Sequence, residues 1–222
     1  MSSSPARRTG SPVLLLLAMV AWFGVVLGCG VLAGELLQSA ERSNGSTPID
    51  SSITSWMVAH RAHGVTAVAR LLSVVGSQLV LAPVAAVTVA LLLGRRRFVV
   101  ALFLGAAWAG AIGLYSLTKH FVARMRPPAD IRLVHVDSSS FPSGHATQSL
   151  ATFVLLAALA AVAVARVRST AAVAVALGLA GGVGWSRVYL GAHWSTDVIA
   201  GWLMGAAWVG AVLWLEHRAP RG

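Results

Sequence analysis

Long apolar runs separated by short polar breaks make up most of this chain. They cover Pro12 to about Gly34, Val65 to Leu93, Phe98 to Leu117, His145 to Ala165, Thr170 to Gly184 and His193 to Leu215. Crossing the ~30 Å hydrocarbon core of a bilayer takes about 20 residues of helix, and a lipid-embedded backbone must satisfy its own hydrogen bonds. The pattern therefore predicts an all-α, polytopic membrane bundle of about six transmembrane helices, with Pro83 kinking the second. The first run starts like a signal peptide, but it is longer than the usual signal core and no small-residue cleavage site follows it. It reads as a retained span.

The polar breaks differ in character. Residues 35–63 contain "NGSTPID", a turn signal, and then "ITSWMVAHRAHG", in which Ile53, Trp56 and Met57 share a helical face. That spacing fits a short helix lying at the membrane interface, and equally an ordinary loop helix. No repeat, low-complexity tail or linker divides the chain, so residues 1–222 are expected to form one domain with its motif core at 119–197.

Composition narrows the class. The chain is 57% hydrophobic and only 11% charged, against roughly 25% charged residues in soluble domains. A net charge of +10 would suit nucleic acid, but no basic face is interleaved with aromatics, and the arginines gather at the ends of apolar runs. No nucleic-acid partner is expected; the arginines read as topology signals. With six spans, Arg7, Arg8, the Arg95-Arg96-Arg97 turn, Arg166, Arg168, Arg218 and Arg221 fall on one side. The positive-inside rule makes that side cytoplasmic, with both termini, and sends the connections 35–63, 118–142 and 185–192 outward. The Ala, Val, Arg and Gly bias fits a GC-rich bacterial genome and hence a bacterial inner (plasma) membrane. Cys29 is the only cysteine; it can form no internal disulfide and reads as a small core residue.

Chemistry concentrates in the outward connections. In "KHFVARMRPP", Lys119 and Arg126 stand seven residues apart, so two helical turns would align both cations on one face at the end of the third span. In "SSSFPSGHATQS", Ser143 and the Gly144 backbone open the fourth span, where unpaired N–H groups and the helix dipole favour an anion. His145 follows at the membrane surface, placed to act as a general acid. In "SRVYLGAHWSTD", Arg187 precedes the last span, while the i, i+4 spacing of His193 and Asp197 lets a carboxylate hold one ring nitrogen and leave the other nucleophilic. Three cations, two histidines and a carboxylate on one membrane face suit phosphoryl chemistry. No cluster of carboxylates or cysteines suggests a metal site, and no cofactor is expected.

These stretches resemble the type 2 phosphatidic acid phosphatases, which share their motif set with vanadium-dependent haloperoxidases. The family signatures K-x6-R-P, P-S-G-H and S-R-x5-H-x3-D stand here as "KHFVARMRP", "PSGH" and "SRVYLGAHWSTD". The resemblance implies metal-independent phosphate hydrolysis through a phosphohistidine. Lys119, Arg126, Ser143, Gly144 and Arg187 would bind the phosphoryl oxygens, His193 would attack, Asp197 would orient it, and His145 would serve as acid and then base. The expected partner is a membrane lipid phosphate within the bilayer, foremost a polyprenyl (undecaprenyl-type) diphosphate carrier. Phosphatidic acid, diacylglycerol pyrophosphate and phosphatidylglycerol phosphate are alternatives, and a lipid phosphotransferase or a non-catalytic binding protein would use the same pocket differently. No obligate protein partner is evident.

Overall fold

A computed structural model of the chain describes residues 11–41, 45–163 and 166–219, and within these it is all helical. Arg7, Arg8, Arg42, Asn44, the 164–165 end of the fourth span and Arg221 lie outside the described residues. Among the described residues eight α-helices follow in order: α1 Pro12–Ser39, α2 Pro48–Ala59, α3 His63–Val75, α4 Gln78–Gly94, α5 Phe98–Phe121, α6 Gly144–Ala163, α7 Arg166–Tyr189 and α8 Ser195–Arg218. Five of them are long and apolar enough to cross a membrane, and α3 with α4 makes a sixth span when the bent pair is counted as one. The protein is a multi-pass membrane protein.

The second span bends elsewhere than the sequence suggests. α3 and α4 meet at 41° across residues 76–77, whereas Pro83 sits inside α4. Ser77 adopts extended backbone angles (φ −77°, ψ 155°), which end one hydrogen-bond ladder and start the next. α3 thereby turns Ser73 inward, where it is buried.

α1, α5, α6 and α8 share the main apolar core. Val26, Leu104, Ala107, Leu114, Leu155, Met204, Trp208 and Val212 are buried together. The indole of Trp208 donates to the Ala107 carbonyl at 2.8 Å, so even this core tryptophan has its N–H satisfied. Elsewhere the helices present apolar side chains outward, as a lipid-facing surface requires; Leu14, Leu17, Leu102 and Leu203 are all exposed. Cys29, expected in the core, is on that exposed surface of α1. Lipid is as apolar as a protein interior, so hydropathy alone does not tell core from lipid face.

The crossing of α6 and α8 sets the position of the site. A Cβ at Gly201 would lie 2.7 Å from the Ser143 carbonyl oxygen, and one at Gly205 would lie 2.8 Å from that of Thr147. Only glycine at these two positions, one turn apart, lets the backbones come so close. The start of α6 is thus pressed onto the first turns of α8, and the Ser143 N–H donates to the Asp197 carbonyl at 3.0 Å.

α2 packs on the bundle through two of the three apolar residues expected on one face. Ile53 and Met57 pack partly buried against Ala146, Val188 and Val198, while Trp56 turns away, exposed, and stacks on His60 with ring centroids 4.5 Å apart. The three residues therefore do not share one environment. Two hold the connection to the bundle and one faces outward.

Candidate active site

The C-terminal ends of α5 and α7 and the N-terminal ends of α6 and α8 meet at one end of the bundle. α7 continues through Ser186 and Arg187 to Tyr189, so these residues lie on a helix rather than in the expected connection. The chain then folds back on itself. The N–H groups of Ala192 and His193 both donate to the Arg187 carbonyl, at 2.9 and 3.2 Å, around a left-handed Gly191 (φ +70°). This turn delivers His193.

His193 itself stands two residues before α8 instead of on it. The helix starts late because Asp197, in its first turn, reaches back to accept the Trp194 N–H at 2.9 Å. The His193 ring still faces this carboxylate, with Nδ1 3.4 Å from Asp197 Oδ2. On its other side, Nε2 lies 3.2 Å from Arg126 Nη1. A guanidinium can only donate, so Nε2 is the acceptor and the ring proton belongs on Nδ1, toward Asp197. Burial first, and then the charges of Lys119, Arg126, Arg187 and His145, hold the His193 pKa well below its ordinary value. The imidazole is neutral, with its lone pair among cations.

Those cations reach the site by a route that helical spacing does not describe. α5 stops at Phe121 and Val122 turns extended (φ −103°, ψ 95°), so Arg126 comes from a strand-like segment rather than from two turns up the same helix. The pair nevertheless converges. Lys119 Nζ donates to the Ser139 carbonyl and, at 3.3 Å, to that of Ser140. Arg126 Nη2 donates to the same Ser139 carbonyl at 3.2 Å, and its Nε to the Ser138 carbonyl at 2.5 Å. Burial lowers the Arg126 pKa to about 10, which leaves it cationic at neutral pH. Arg187 is buried, donates through Nη1 to Ser73 Oγ at 2.5 Å, and keeps a buried Nε–H with no hydrogen-bond partner.

At the start of α6 the expected donors are employed in more than one way. Ser143 is fully buried; its N–H is taken by Asp197, and its Oγ accepts the Ala146 N–H at 3.4 Å. It can offer only its hydroxyl hydrogen. The missing side chain of Gly144 makes room for a ring: a Cβ there would lie 3.0 Å from Tyr115 Cε2. His145, half-buried, is within electrostatic reach of Lys119, Arg126 and Arg187, with the Ser73 backbone beside its ring. The bend between α3 and α4 thus supplies a residue, Ser73, that neighbours both Arg187 and His145.

Sequence reasoning missed a second layer. Arg124, Asp50 and Glu41 enter no signature, yet Arg124 is 2% exposed and Asp50 fully buried. Arg124 donates to Glu41 through Nε, to Asp197 Oδ1 at 2.5 Å and Thr196 Oγ1 at 2.7 Å through Nη1, and to Asp50 Oδ2 at 2.9 Å through Nη2. Three carboxylates thus surround one guanidinium, and among the described residues no group of His, Cys, Asp and Glu is placed to hold a metal ion. Removing one partner from such a buried pair typically costs about 3–5 kcal/mol. No pattern of apolar and polar residues in Val122-Ala123-Arg124-Met125 singles Arg124 out; only the structure shows that Val122 and Arg124 are buried while Ala123 and Met125 are exposed, the period of an extended segment.

Comparison with known proteins gives the family and the fold. An undecaprenyl-diphosphatase of Sulfolobus acidocaldarius is 32% identical over 128 residues, 55% of this chain and 58% of that protein's length. The crystal structure of a transmembrane PAP2-type phosphatidylglycerolphosphate phosphatase from Bacillus subtilis superposes with a TM-score of 0.77 at 25% identity, covering 88% of this chain and 98% of the other. Residues 98–221 match the PAP2 superfamily, a stretch that takes in every signature residue from Lys119 to Asp197, and the chain belongs to that superfamily.

Proposed function

We propose that this protein is a lipid phosphatase that removes a phosphate from a membrane lipid through a phosphohistidine on His193. The observation that carries this reading is a contact: His193 Nε2 lies 3.2 Å from Arg126 Nη1, which can only donate, so Nε2 is assigned as the acceptor, and Lys119 and Arg187 lie within electrostatic reach of the same ring. A phosphoryl group drawn in by these cations meets a nucleophilic nitrogen. Nε2 bonds to phosphorus as the ester or anhydride P–O bond breaks, and His145 gives a proton to the departing oxygen. Charge gathering on the phosphoryl oxygens is met by the three cationic side chains, the arrangement that contributes most to such reactions. The imidazolium formed on His193 keeps its Nδ1 proton toward Asp197. Water then attacks phosphorus, losing its proton to His145, and the P–N bond breaks to release phosphate.

The site at the helix ends suits an amphiphile whose phosphate lies at headgroup level while its tail stays in lipid. The undecaprenyl-diphosphatase relative favours a polyprenyl diphosphate carrier, and the Bacillus subtilis structure favours a glycerolipid phosphate as the second reading. Phosphate release by purified protein in excess chelator, with polyprenyl diphosphate beside phosphatidylglycerol phosphate and phosphatidic acid, decides between them. Activity is expected to survive chelation, because the cationic cluster takes the place of a metal ion, and to be highest on the diphosphate. Loss of activity in chelator that returns with added metal would overturn the metal-free reading; preference for a glycerolipid would replace the carrier.

The arginine-rich 95–97 turn, read by the positive-inside rule, supports a site on the outer face, and we propose a bacterial plasma membrane as its setting. A cysteine at Asp137, which is 82% exposed on the site's side, tests this in a Cys29→Ser background. Labelling by an impermeant thiol reagent on intact cells is the expected result, and labelling only after lysis would invert the topology.

A further inference from the structure

We propose that Arg124, held from behind by Asp50, is a positioning residue for the nucleophile, fixing Asp197 so that one carboxylate oxygen faces His193. This rests on the phosphohistidine reading above. The four basic residues around the site divide into two kinds. Among the described residues, Lys119, Arg126 and Arg187 make no ion pair with a carboxylate; they bond carbonyls, hydroxyls and the His193 ring. Arg124 pairs with three carboxylates and its side chain has no exposed surface. The first kind can turn to a phosphate, whereas Arg124 is enclosed by its own protein and acts only through what it holds.

What it holds is one end of Asp197. Arg124 Nη1 is 2.5 Å from Oδ1, while Oδ2 accepts from Ser140 Oγ at 2.5 Å and from the Trp194 N–H at 2.9 Å. With Oδ1 tied on one side, the carboxylate plane is set, and Oδ2 lies toward His193 Nδ1. His193 Nδ1 is buried without a full hydrogen bond, so the Oδ2 charge facing it at 3.4 Å is what favours its proton there. A carboxylate free to rotate would carry that charge away, and the other tautomer, with Nε2 protonated and not nucleophilic, would become accessible.

Asp50 fixes the guanidinium in turn. It accepts from Arg124 Nη2 at 2.9 Å, from Ser195 Oγ at 2.7 Å, and from the N–H and hydroxyl of Thr196 at 3.0 and 2.8 Å. Its Oδ2 also lies 2.8 Å from Thr47 Oγ1, within the capping box of α2. Burial alone would raise the Asp50 pKa, but these hydrogen bonds outweigh it and hold the pKa below its ordinary value. One side chain therefore joins the start of α2 to the start of α8. The connection at 35–63 becomes a strut of the site.

The test is steady-state kinetics on full-length Arg124→Gln and Asp50→Asn in detergent, beside wild type, His193→Ala and Arg126→Gln. Arg124→Gln is expected to lower kcat on the order of 10- to 100-fold, with KM within about threefold of wild type. Phosphoenzyme formation, followed by rapid quench, is expected to slow by the same factor. Arg126→Gln, by contrast, is expected to raise KM. Asp50→Asn should shift kcat in the same direction by a smaller factor. If Arg124→Gln does not accumulate folded, Asp50→Asn and Thr196→Val, which leave the guanidinium in place, carry the same comparison. An unchanged kcat in the folded variants overturns the proposal, as does a rise in KM matching that of Arg126→Gln. Absence of any His193-dependent release from wild type defeats the phosphohistidine reading itself, a different result from a normal wild type with a silent Arg124.

Discussion

His193→Ala is expected to lower kcat by about 10³-fold or more while the protein remains folded in detergent. The expectation rests on three observations that act together. The ring is buried and neutral, its Nε2 is an acceptor, and the groups around that nitrogen are cations. No other described nitrogen in the cluster combines these properties. His145 is less buried and belongs to the start of α6. The check is phosphate release together with trapping of an acid-labile phosphoenzyme, present in wild type and absent in the variant. A variant retaining a tenth of wild-type turnover would mean that water, not His193, attacks phosphorus.

His145→Ala is expected to cost about 10²- to 10⁴-fold on a lipid phosphate, the usual contribution of a positioned acid or base. The size of the loss should depend on the leaving group. A lipid alkoxide needs a proton as it departs, whereas the anion of an aryl phosphate such as 4-nitrophenyl phosphate leaves without one. If His145 is the acid, the first step recovers with the aryl ester, and phosphoenzyme accumulates because the variant still lacks the base that activates water. An equal loss on both substrates, with no accumulation, would reassign His145 to holding the phosphoryl group alongside Arg187, its electrostatic neighbour.

The spans were legible because twenty apolar residues in a row admit few alternatives, and the structure keeps the second as a broken pair. Lys119, Arg126, Arg187, His145, His193 and Asp197 were legible as a group because each stands at the edge of an apolar run, where a charge is conspicuous. Local conformation was less legible. Spacing suggested that Lys119 and Arg126 shared a helix and that His193 and Asp197 did too, yet in both pairs a helix end falls between the partners. The α8 start is set by Asp197 reaching back to the Trp194 N–H, a capping choice that the i, i+4 spacing of His193 and Asp197 does not reveal. Asp50 was the hardest to see. In sequence it is an acidic residue in the first turn of a short helix, an ordinary capping position, and its tie to Arg124 spans 74 residues. Cys29 and Pro83 show the remaining limit: hydropathy reads membrane depth but not which neighbour a helix face meets.

The ion pairs of Arg124 also constrain how the protein is made. Arg124 leaves the ribosome 73 residues before Asp197, and in the meantime Asp50 and Glu41 can meet its charge but cannot close the network. A bare guanidinium in hydrocarbon would be costly during that interval. Because the network sits at the water-facing ends of the helices, the arginine can stay hydrated until α8 arrives, and insertion of that last helix both seals the charge and completes the nucleophile's surroundings. On the reading proposed above, biogenesis and activation of the site are then one event, and a nascent chain stalled before α8 is expected to carry every earlier signature residue without a working centre.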